Sequence, residues 1–496
     1  FLARGEFSSV IMGKPKKYVV VDDGAVGPIK NGANLLGVGV TGCSCELEVG
    51  DEVALIDSKE GILGFGTTRR SSKDLMARDR GMAVKVRHLA IGWTSPEKAP
   101  SWDSVIEANR RYVTRLGEKA VRFARAKYQE AGKPANVSFS GGKDSLATLN
   151  IVESSDIPFD VIFVDTDLEF IQTQNQVELL RQRGLTVHVA EAKKAFWTGF
   201  DTFGPPGRDY RWCCKSCKLG PVTRLIREKY PQGVLSFIGQ RKYESMQRKE
   251  KGSTWENPWV PGQMAVSPIQ HWTAFDVWLY IFMHKLPYNP LYDEGVERIG
   301  CFLCPASSVY EFNEVAVKHD DYKKFHEMLT KWLKKRNIEL DEEHTWRWRT
   351  KIKGTTDKEE PGNLQLSDLG SPCDRGISVE GYYRGGFDID RMKEILWIFG
   401  NLQISKDHIS AGGVLLMPGG EVILIGEDER ATEGLVHAFR SFIARYERCV
   451  GCGVCTGRCP TKALKIVDGH IVIDGDECTA CGECLKGPCP AEVFNG

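Results

Sequence analysis

No continuous apolar run approaches the roughly 18 residues of a membrane-crossing helix. Residues Phe1 to Val10 lack the apolar core of a secretory leader, and no initiator methionine opens the chain. The expectation is a trimmed chain, or one that begins inside a longer product. An excess of either charge is missing too: 66 Lys and Arg face 66 Asp and Glu. Global charge therefore gives no pull toward nucleic acid or an anionic membrane, and any basic patch has to be local. Low-complexity tracts are absent, and 42% hydrophobic with 27% charged residues excludes wholesale disorder. At roughly 150 residues per domain, 496 residues allow three or four domains, each able to bury a core.

Cysteine is abundant by contrast. Of 16 cysteines, 13 fall in tight clusters with two-residue gaps. A secreted disulfide scaffold would be short and more loosely spaced. Clustered C-x-x-C spacing in a long chain reads as metal or iron–sulfur ligation. A reducing cytoplasm is the expected compartment, with no membrane partner.

Residues 17 to 92 read as a small β-rich domain, with strand-like Lys17–Asp22 and Glu52–Asp57 punctuated by glycines. Gly37-Val-Gly-Val40, Gly50-Asp-Glu-Val53, Gly64-Phe-Gly66 and Gly81-Met-Ala-Val-Lys-Val-Arg-His88 stand in an order that resembles a PUA domain, a small RNA-binding barrel. The alternative is a structural barrel that no longer binds RNA. Cys43 and Cys45 read as packing. Val105 to Lys133 has helical periodicity and many basic residues, either a phosphate-tracking helix or a solvated face.

From Ala135 strands and helices alternate. Strands at 137–139, 159–164, 185–189 and 234–238 enclose helices at 144–152, 171–183 and 221–229, the pattern of a doubly wound parallel α/β sheet. Helix is expected at Thr273–His284 and through Tyr310–Arg336, and a linker at Thr355–Arg375. The expected domains are 1–92 (β domain), 105–350 (α/β), a small α/β module at 377–446 with no assigned role, and a cysteine-rich end at 447–496.

Ser140-Gly141-Gly142-Lys143-Asp144-Ser145 directly follows a strand and opens a helix. Glycines let backbone approach an anion, the helix N-terminus offers free N–H groups, and Lys143 adds a charge, together making a pyrophosphate or sulfate cradle. The spacing is not that of a Walker P-loop. It resembles the PP-loop of adenine-nucleotide α-hydrolases. Asp165 and Asp167 end the next strand facing the same crevice. Gly239-Gln-Arg241-Lys-Tyr-Glu244-Ser-Met-Gln-Arg248, Pro268–Trp278, Leu286–Tyr292 and Arg298-Ile-Gly-Cys301 follow. In this order they resemble the phosphoadenylyl-sulfate (PAPS) reductase family over about residues 135–310. That resemblance implies an adenine nucleotide held by residues 140–145, Asp165 and Gly239. It puts Arg241 and Arg248 on phosphate or sulfate, which the planar guanidinium suits.

Cys213-Cys214 and Cys301-x-x-Cys304, 86 residues apart, resemble the 4Fe–4S ligands of adenylyl-sulfate reductases. A structural zinc on Cys214, Cys217, Cys301 and Cys304 is the competing reading. At the end, Cys449-x-x-Cys452-x-x-Cys455-x-x-x-Cys459-Pro is the bacterial ferredoxin run, and Cys478-x-x-Cys481-x-x-Cys484 with Cys489-Pro repeats it one residue longer. The ferredoxin pattern pairs Cys489 with the first run and Cys459 with the second. Three 4Fe–4S clusters are thus expected, two in the ferredoxin end and one beside the nucleotide.

The Glu-Cys-Gly-Leu-His tail of thiol-dependent reductases is missing. Cys373 and Cys217 are the spare thiols, and an activated one would need a basic neighbourhood. Ser-Gly-Gly-Lys-Asp-Ser is moreover the ATP-cleaving form of the loop. His344-Thr-Trp346-Arg347-Trp348-Arg349-Thr-Lys351-Ile-Lys353 could hold a base or phosphate, or serve as helix packing. The expected function is reductive cleavage of PAPS or adenylyl sulfate to sulfite, with Lys143, Arg241 and Arg248 stabilising charge. A low-potential protein would donate electrons, and an oligomer or larger complex is expected. The rival is an ATP-dependent iron–sulfur tRNA thiolation enzyme that grips RNA through its PUA-like domain.

Overall fold

The computed structural model describes residues 17–493, apart from 45–46, 60, 78, 90–100, 245–247, 249, 251, 339, 341–343, 349–362, 371–375 and 488. Cys45 and Cys373 lie outside the described residues, as do Arg349, Lys351 and Lys353. Two compact units part between Ser101 and Trp102.

The first unit is one nearly closed sheet. Its strands are β1 (Tyr18–Val21), β2 (Leu35–Leu36), β3 (Val40–Cys43), β4 (Glu52–Ile56), β5 (Ile62–Thr68) and β6 (Met82–Leu89), in the order β2-β6-β5-β4-β1-β3. Among the described residues of this unit only β1 and β4 pair in parallel. Alternating apolar residues such as Val19, Val21, Val53 and Leu55 point into one core.

The second unit opens with α1 (Trp102–Ala131). Its inner stripe is Val113, Gly117, Ala120 and Ala124, at helical spacing. The basic residues on its outside include Arg110, Arg122, Arg125 and Lys127, which pair with Glu107, Glu118, Asp156 and Glu130.

Beyond α1 lies a sheet of β7 (Ala135–Phe139), β8 (Phe159–Asp165), β9 (Val187–Glu191), β10 (Val234–Ile238), β11 (Thr254–Glu256) and β12 (Gln263–Val266). The order is β11-β12-β10-β7-β8-β9, parallel except for the edge strand β11. Helices α2 (Lys143–Glu153), α3 (Ile171–Gln182), α4 (Ala195–Phe203), α5 (Gly220–Lys229) and α6 (Ala274–Met283) connect or cover the strands. After β7 the chain winds outward to β8 and β9, then returns to lay β10 on the other side of β7. The carboxyl ends of β7 and β10 therefore flank a topological switch point, where open α/β sheets bind ligands.

Three departures from the sequence pattern stand out. Strands β11 and β12 extend the sheet beyond the four strands expected. The helix expected over Tyr310–Arg336 is interrupted: a wide turn at Glu311–Val315 and a tight one at Ala316–Lys318 precede α7 (Tyr322–Lys334). His319 is extended there, and its ring accepts the Asp321 N–H at 3.1 Å, which breaks the ladder. The expected linker contains β13 (Leu364–Leu366).

Strand β13 begins a second, wholly antiparallel sheet with β14 (Ile377–Tyr383), β15 (Leu402–Ile404), β16 (Ile409–Ala411), β17 (Val414–Leu416) and β18 (Glu421–Gly426), in the order β13-β14-β18-β17-β16-β15. Helix α8 (Glu429–Arg448) leads to the cysteine-rich end, which holds the hairpin β19 (Leu464–Val467) and β20 (His470–Ile473). Cys455, Cys459 and Cys484 share one core with Leu396, Leu416 and Phe439 of the preceding module. Among the described residues no helix is long and apolar enough to cross a membrane.

Candidate functional site

The Ser140–Ser145 loop sits at the carboxyl end of β7. Gly141 has φ +73, and a Cβ there would lie 2.8 Å from Thr173 Cγ2, so the turn requires glycine on both counts. Within the loop the Ser140 N–H donates to Ser145 Oγ at 3.2 Å, and Ser145 Oγ donates to the Gly142 carbonyl at 2.9 Å. Gly142 caps α2 without a side chain. The Lys143 N–H instead donates to the Tyr292 hydroxyl at 2.9 Å, an oxygen standing where a helix N-terminus favours an acceptor. Burial pushes the Tyr292 hydroxyl pKa up, so this acceptor is neutral. Gly239, at the end of β10, abuts the Asp144–Ser145 backbone.

The expected cations form a ladder with two carboxylates: Asp144, expected as part of the loop, and Glu244, which was not an expected site residue. Lys143 Nζ lies 3.2 Å from Asp144 Oδ2, and Arg241 Nε 2.5 Å from Asp144 Oδ1. The Arg241 N–H donates to Glu244 Oε2 at 2.9 Å, and Glu244 also pairs with Arg248. Three cations against two carboxylates leave one net positive charge. Lys143 and Arg241 are buried, at 7% and 6% exposure. The two carboxylates thereby hold both planar guanidiniums in place.

Asp165 ends β8 and, with Asp167, lines a cavity of about 790 Å³. Glu169, Lys194, Trp197, Lys318 and His319 also line it, and none of these was expected. They come from three separate segments, so no local spacing signals them. Burial pushes the Glu169 carboxyl up to about 7, against the pull of Lys218.

The middle cysteines gather around two cations, Arg211 and Lys218. Arg211 Nη2 donates to Cys214 Sγ at 3.1 Å, and Thr166 Oγ1 donates to Cys301 Sγ at 3.4 Å. Cys301 above all, then Cys214, Glu169 and Cys304, hold the Lys218 ammonium pKa up. Burial opposes the Arg211 charge, but Cys214, Cys304 and Cys213 outweigh it. The Cys213–Cys214 hydrogen bond, with Arg211 alongside, holds Cys214 well below the usual thiol range. Burial pushes Cys301 up to about 11. Cys217, 2% exposed, has Cys301, Cys214 and Cys452 as neighbours.

At the cysteine-rich end, Cys449, Cys452, Cys455 and Cys489 line one small cavity. Cys484 is surrounded by Cys459, Cys478 and Cys481. The fourth cysteine of each run thus stands with the other run. Between the two sets lies Arg445, 3% exposed, donating to the Cys484 carbonyl at 2.9 Å and the Leu485 carbonyl at 3.2 Å, and pairing with Glu492. Burial opposes its charge, and Cys489, Cys455, Glu492 and Cys484 outweigh that. Burial pushes Cys452 and Cys484 up to about 12. Buried thiols of this kind become thiolates when metal takes up their charge. Among the described residues, no three His, Cys, Asp or Glu side chains converge as they would on a single ion. The donor chemistry fits iron–sulfur clusters: all-sulfur sets, mostly buried or half-buried with Cys481 exposed, each beside a cation.

The aromatic–basic stretch near 346 is core. Trp346 is 3% exposed and packs on Phe312 and Phe325, while Arg347 donates to the Ser307 carbonyl at 2.5 Å. The packing alternative describes these residues.

The family model described as the phosphoadenosine phosphosulfate reductase domain matches residues 134–307, the PUA domain residues 17–90, and the 4Fe-4S dicluster domain residues 442–491. An uncharacterized protein of Methanocaldococcus jannaschii is 34% identical over 352 residues, covering 68% of this chain and 73% of its own length. An adenosine 5'-phosphosulfate reductase of Bacillus cytotoxicus is 30% identical over 171 residues, 33% of this chain and 70% of that protein. Among solved structures, a phosphoadenylyl-sulfate (PAPS) reductase from Candida auris, in a phosphate complex, aligns over 42% of this chain and 98% of its own at 20% identity, with a TM-score of 0.29.

Proposed function

Because the chain belongs to the phosphoadenosine phosphosulfate reductase family, with a PUA domain ahead and a 4Fe-4S dicluster domain behind, we propose that it reductively cleaves PAPS or adenylyl sulfate to sulfite and the adenosine phosphate. The observation that carries this reading is a shared segment. Ile299 lies against Gly142 in the loop, Tyr292 caps Lys143, and Cys301 and Cys304 follow within five residues of Ile299. The glycine loop and a half-buried thiol set are thus joined by one short stretch of chain.

In this reading residues 140–145, Asp165 and Gly239 hold the nucleotide. Lys143, Arg241 and Arg248 face the sulfuryl oxygens and the leaving phosphate. The sulfur–oxygen bond to phosphate breaks, its oxygen stays with the phosphate, and sulfur takes up two electrons. Clusters on the three cysteine sets would supply those electrons singly. A low-potential protein, outside this chain, would reload them.

Anaerobically purified protein is expected to hold about twelve irons, four per cluster. Stoichiometric zinc with about eight irons would instead make the middle set a zinc site on Cys214, Cys217, Cys301 and Cys304. Incubated with PAPS or adenylyl sulfate and a reduced low-potential donor, the protein is expected to release sulfite without consuming ATP.

The PUA domain and the ATP-type loop favour a second reading, ATP-dependent RNA thiolation. Turnover of ATP to AMP and pyrophosphate only when tRNA is present, with no sulfite formed, would select it and overturn the first.

A further inference from the structure

The dicluster end meets the nucleotide half through one helix face. On α5, Gly220, Thr223, Arg224 and Arg227 recur at the spacing of a single stripe. Gly220 is buried, and a Cβ there would collide with the Cys452 carbonyl oxygen. Arg224 donates to that same carbonyl, and Arg227 Nη1 donates to the Thr456 carbonyl at 2.5 Å. From the other side, Gly457 faces Thr223 and Gly453 faces Arg224, each so closely that a Cβ would overlap the partner side chain. Three glycines and two arginines thus clamp loop 452–457.

One turn before this stripe stands Cys217. It is 2% exposed, with Cys301 and Cys214 of the middle set and Cys452 of the dicluster end all as neighbours. Val450 and Cys452 share an apolar core with Cys213, Cys217 and Cys301. The second set faces elsewhere: Cys478 donates to the Trp397 carbonyl at 3.5 Å, and Cys481 is exposed to solvent.

Building on the electron-fed reductase reading, we propose that this clamp fixes the order of transfer. A cluster held by Cys449, Cys452, Cys455 and Cys489 would pass electrons to one held by the middle set, past Cys217. The set Cys459, Cys478, Cys481 and Cys484 is where an external donor delivers them. Each step would move one electron: the donor is oxidised as a cluster on the second set is reduced, and the electron would pass on to clusters on the first and then the middle set. Gly220, Arg224, Arg227 and Cys217 are positioning residues. None belongs to the 140–145 loop or the cation ladder, and they act by holding Cys452 against the nucleotide half.

The test reads electrons rather than sulfite, so it stays separate from the reaction assigned above. Full-length anaerobic protein is mixed with a reduced bacterial-type ferredoxin, without nucleotide, and freeze-quenched for electron paramagnetic resonance. Gly220→Val, which forces the loop off the helix, is expected to slow reduction of the middle set at least tenfold while the dicluster sets reduce at the parent rate. The double variant Arg224→Ala/Arg227→Ala adds no volume and should act in the same direction, so it serves if Gly220→Val loses iron. In the fully reduced parent, magnetic interaction should broaden the middle-set signal. That broadening should survive Cys481→Ser and vanish in Cys489→Ser. Parent-rate reduction of the middle set in the double variant would overturn the proposal. So would broadening that vanishes with Cys481→Ser but persists in Cys489→Ser, or a protein with no third cluster.

Discussion

Replacing Cys301 by serine is expected to abolish sulfite formation while both dicluster sets still take up electrons. Cys301 stands where the two halves of the proposed chemistry meet. Its sulfur accepts a hydrogen bond from Thr166, next to the cavity-lining Asp165, and it is the strongest influence on the buried Lys218 ammonium. Serine keeps the volume but offers no thiolate, so the middle set loses one of four donors and Lys218 loses its main counter-charge. Iron content should fall by about four atoms, leaving the signals of the terminal sets intact. Cys217→Ser separates the two ligand assignments. With Cys213 and Cys214 both on the cluster, this variant keeps its full iron. With zinc on Cys214, Cys217, Cys301 and Cys304, it loses the metal. Turnover at the parent rate in Cys301→Ser would remove the middle set from the chemistry altogether.

What could be read from sequence followed how local the signal was. The strand, loop and helix at 135–153 declare themselves within twenty residues, through an apolar strand, a glycine turn and an apolar helix, and the fold keeps them. The cysteine runs are equally local. Strands β11 and β13 are three residues each, and Thr254-Trp-Glu256 or Leu364-Gln-Leu366 carries no period long enough to register. They are strands because β12 and β14 offer partners. The continuous helix expected over 310–336 failed because its apolar period runs on while His319 leaves helical geometry. Lys218 and Arg445 were invisible as site residues for another reason. Each follows or precedes a cysteine by four positions, an ordinary helical interval, and only burial among sulfurs from distant segments gives it a role. Asp144 was expected as a loop residue and Glu244 not at all. Their function as the rungs between Lys143, Arg241 and Arg248 needs the β7–β10 pairing that brings residues 97 positions apart into contact.

That ladder decides which arginine is the cleaner probe of the reaction. Arg241 is 6% exposed and paired with Asp144, itself fixed beside Lys143. Removing it takes one of two partners from the half-buried Asp144 carboxylate, a loss bounded by the roughly 3 to 5 kcal/mol of breaking a fully buried pair. Arg241→Ala should therefore lose both fold stability and activity, and its kinetics alone would not report on charge stabilisation. Arg248 lies further out, its side chain 29% exposed, and its partner Glu244 keeps the Arg241 N–H as donor when Arg248 is gone. Arg248→Ala should hence leave the melting temperature within a few degrees of the parent. If its guanidinium faces the sulfuryl or phosphate oxygens as charge builds, kcat should fall about a hundredfold, equivalent to roughly 3 kcal/mol. Arg248→Lys should recover only part of that, because an ammonium keeps the charge without the planar fork. A variant that melts at the parent temperature and turns over at the parent rate would place Arg248 outside the oxyanion site and leave Lys143 and Arg241 as its cations.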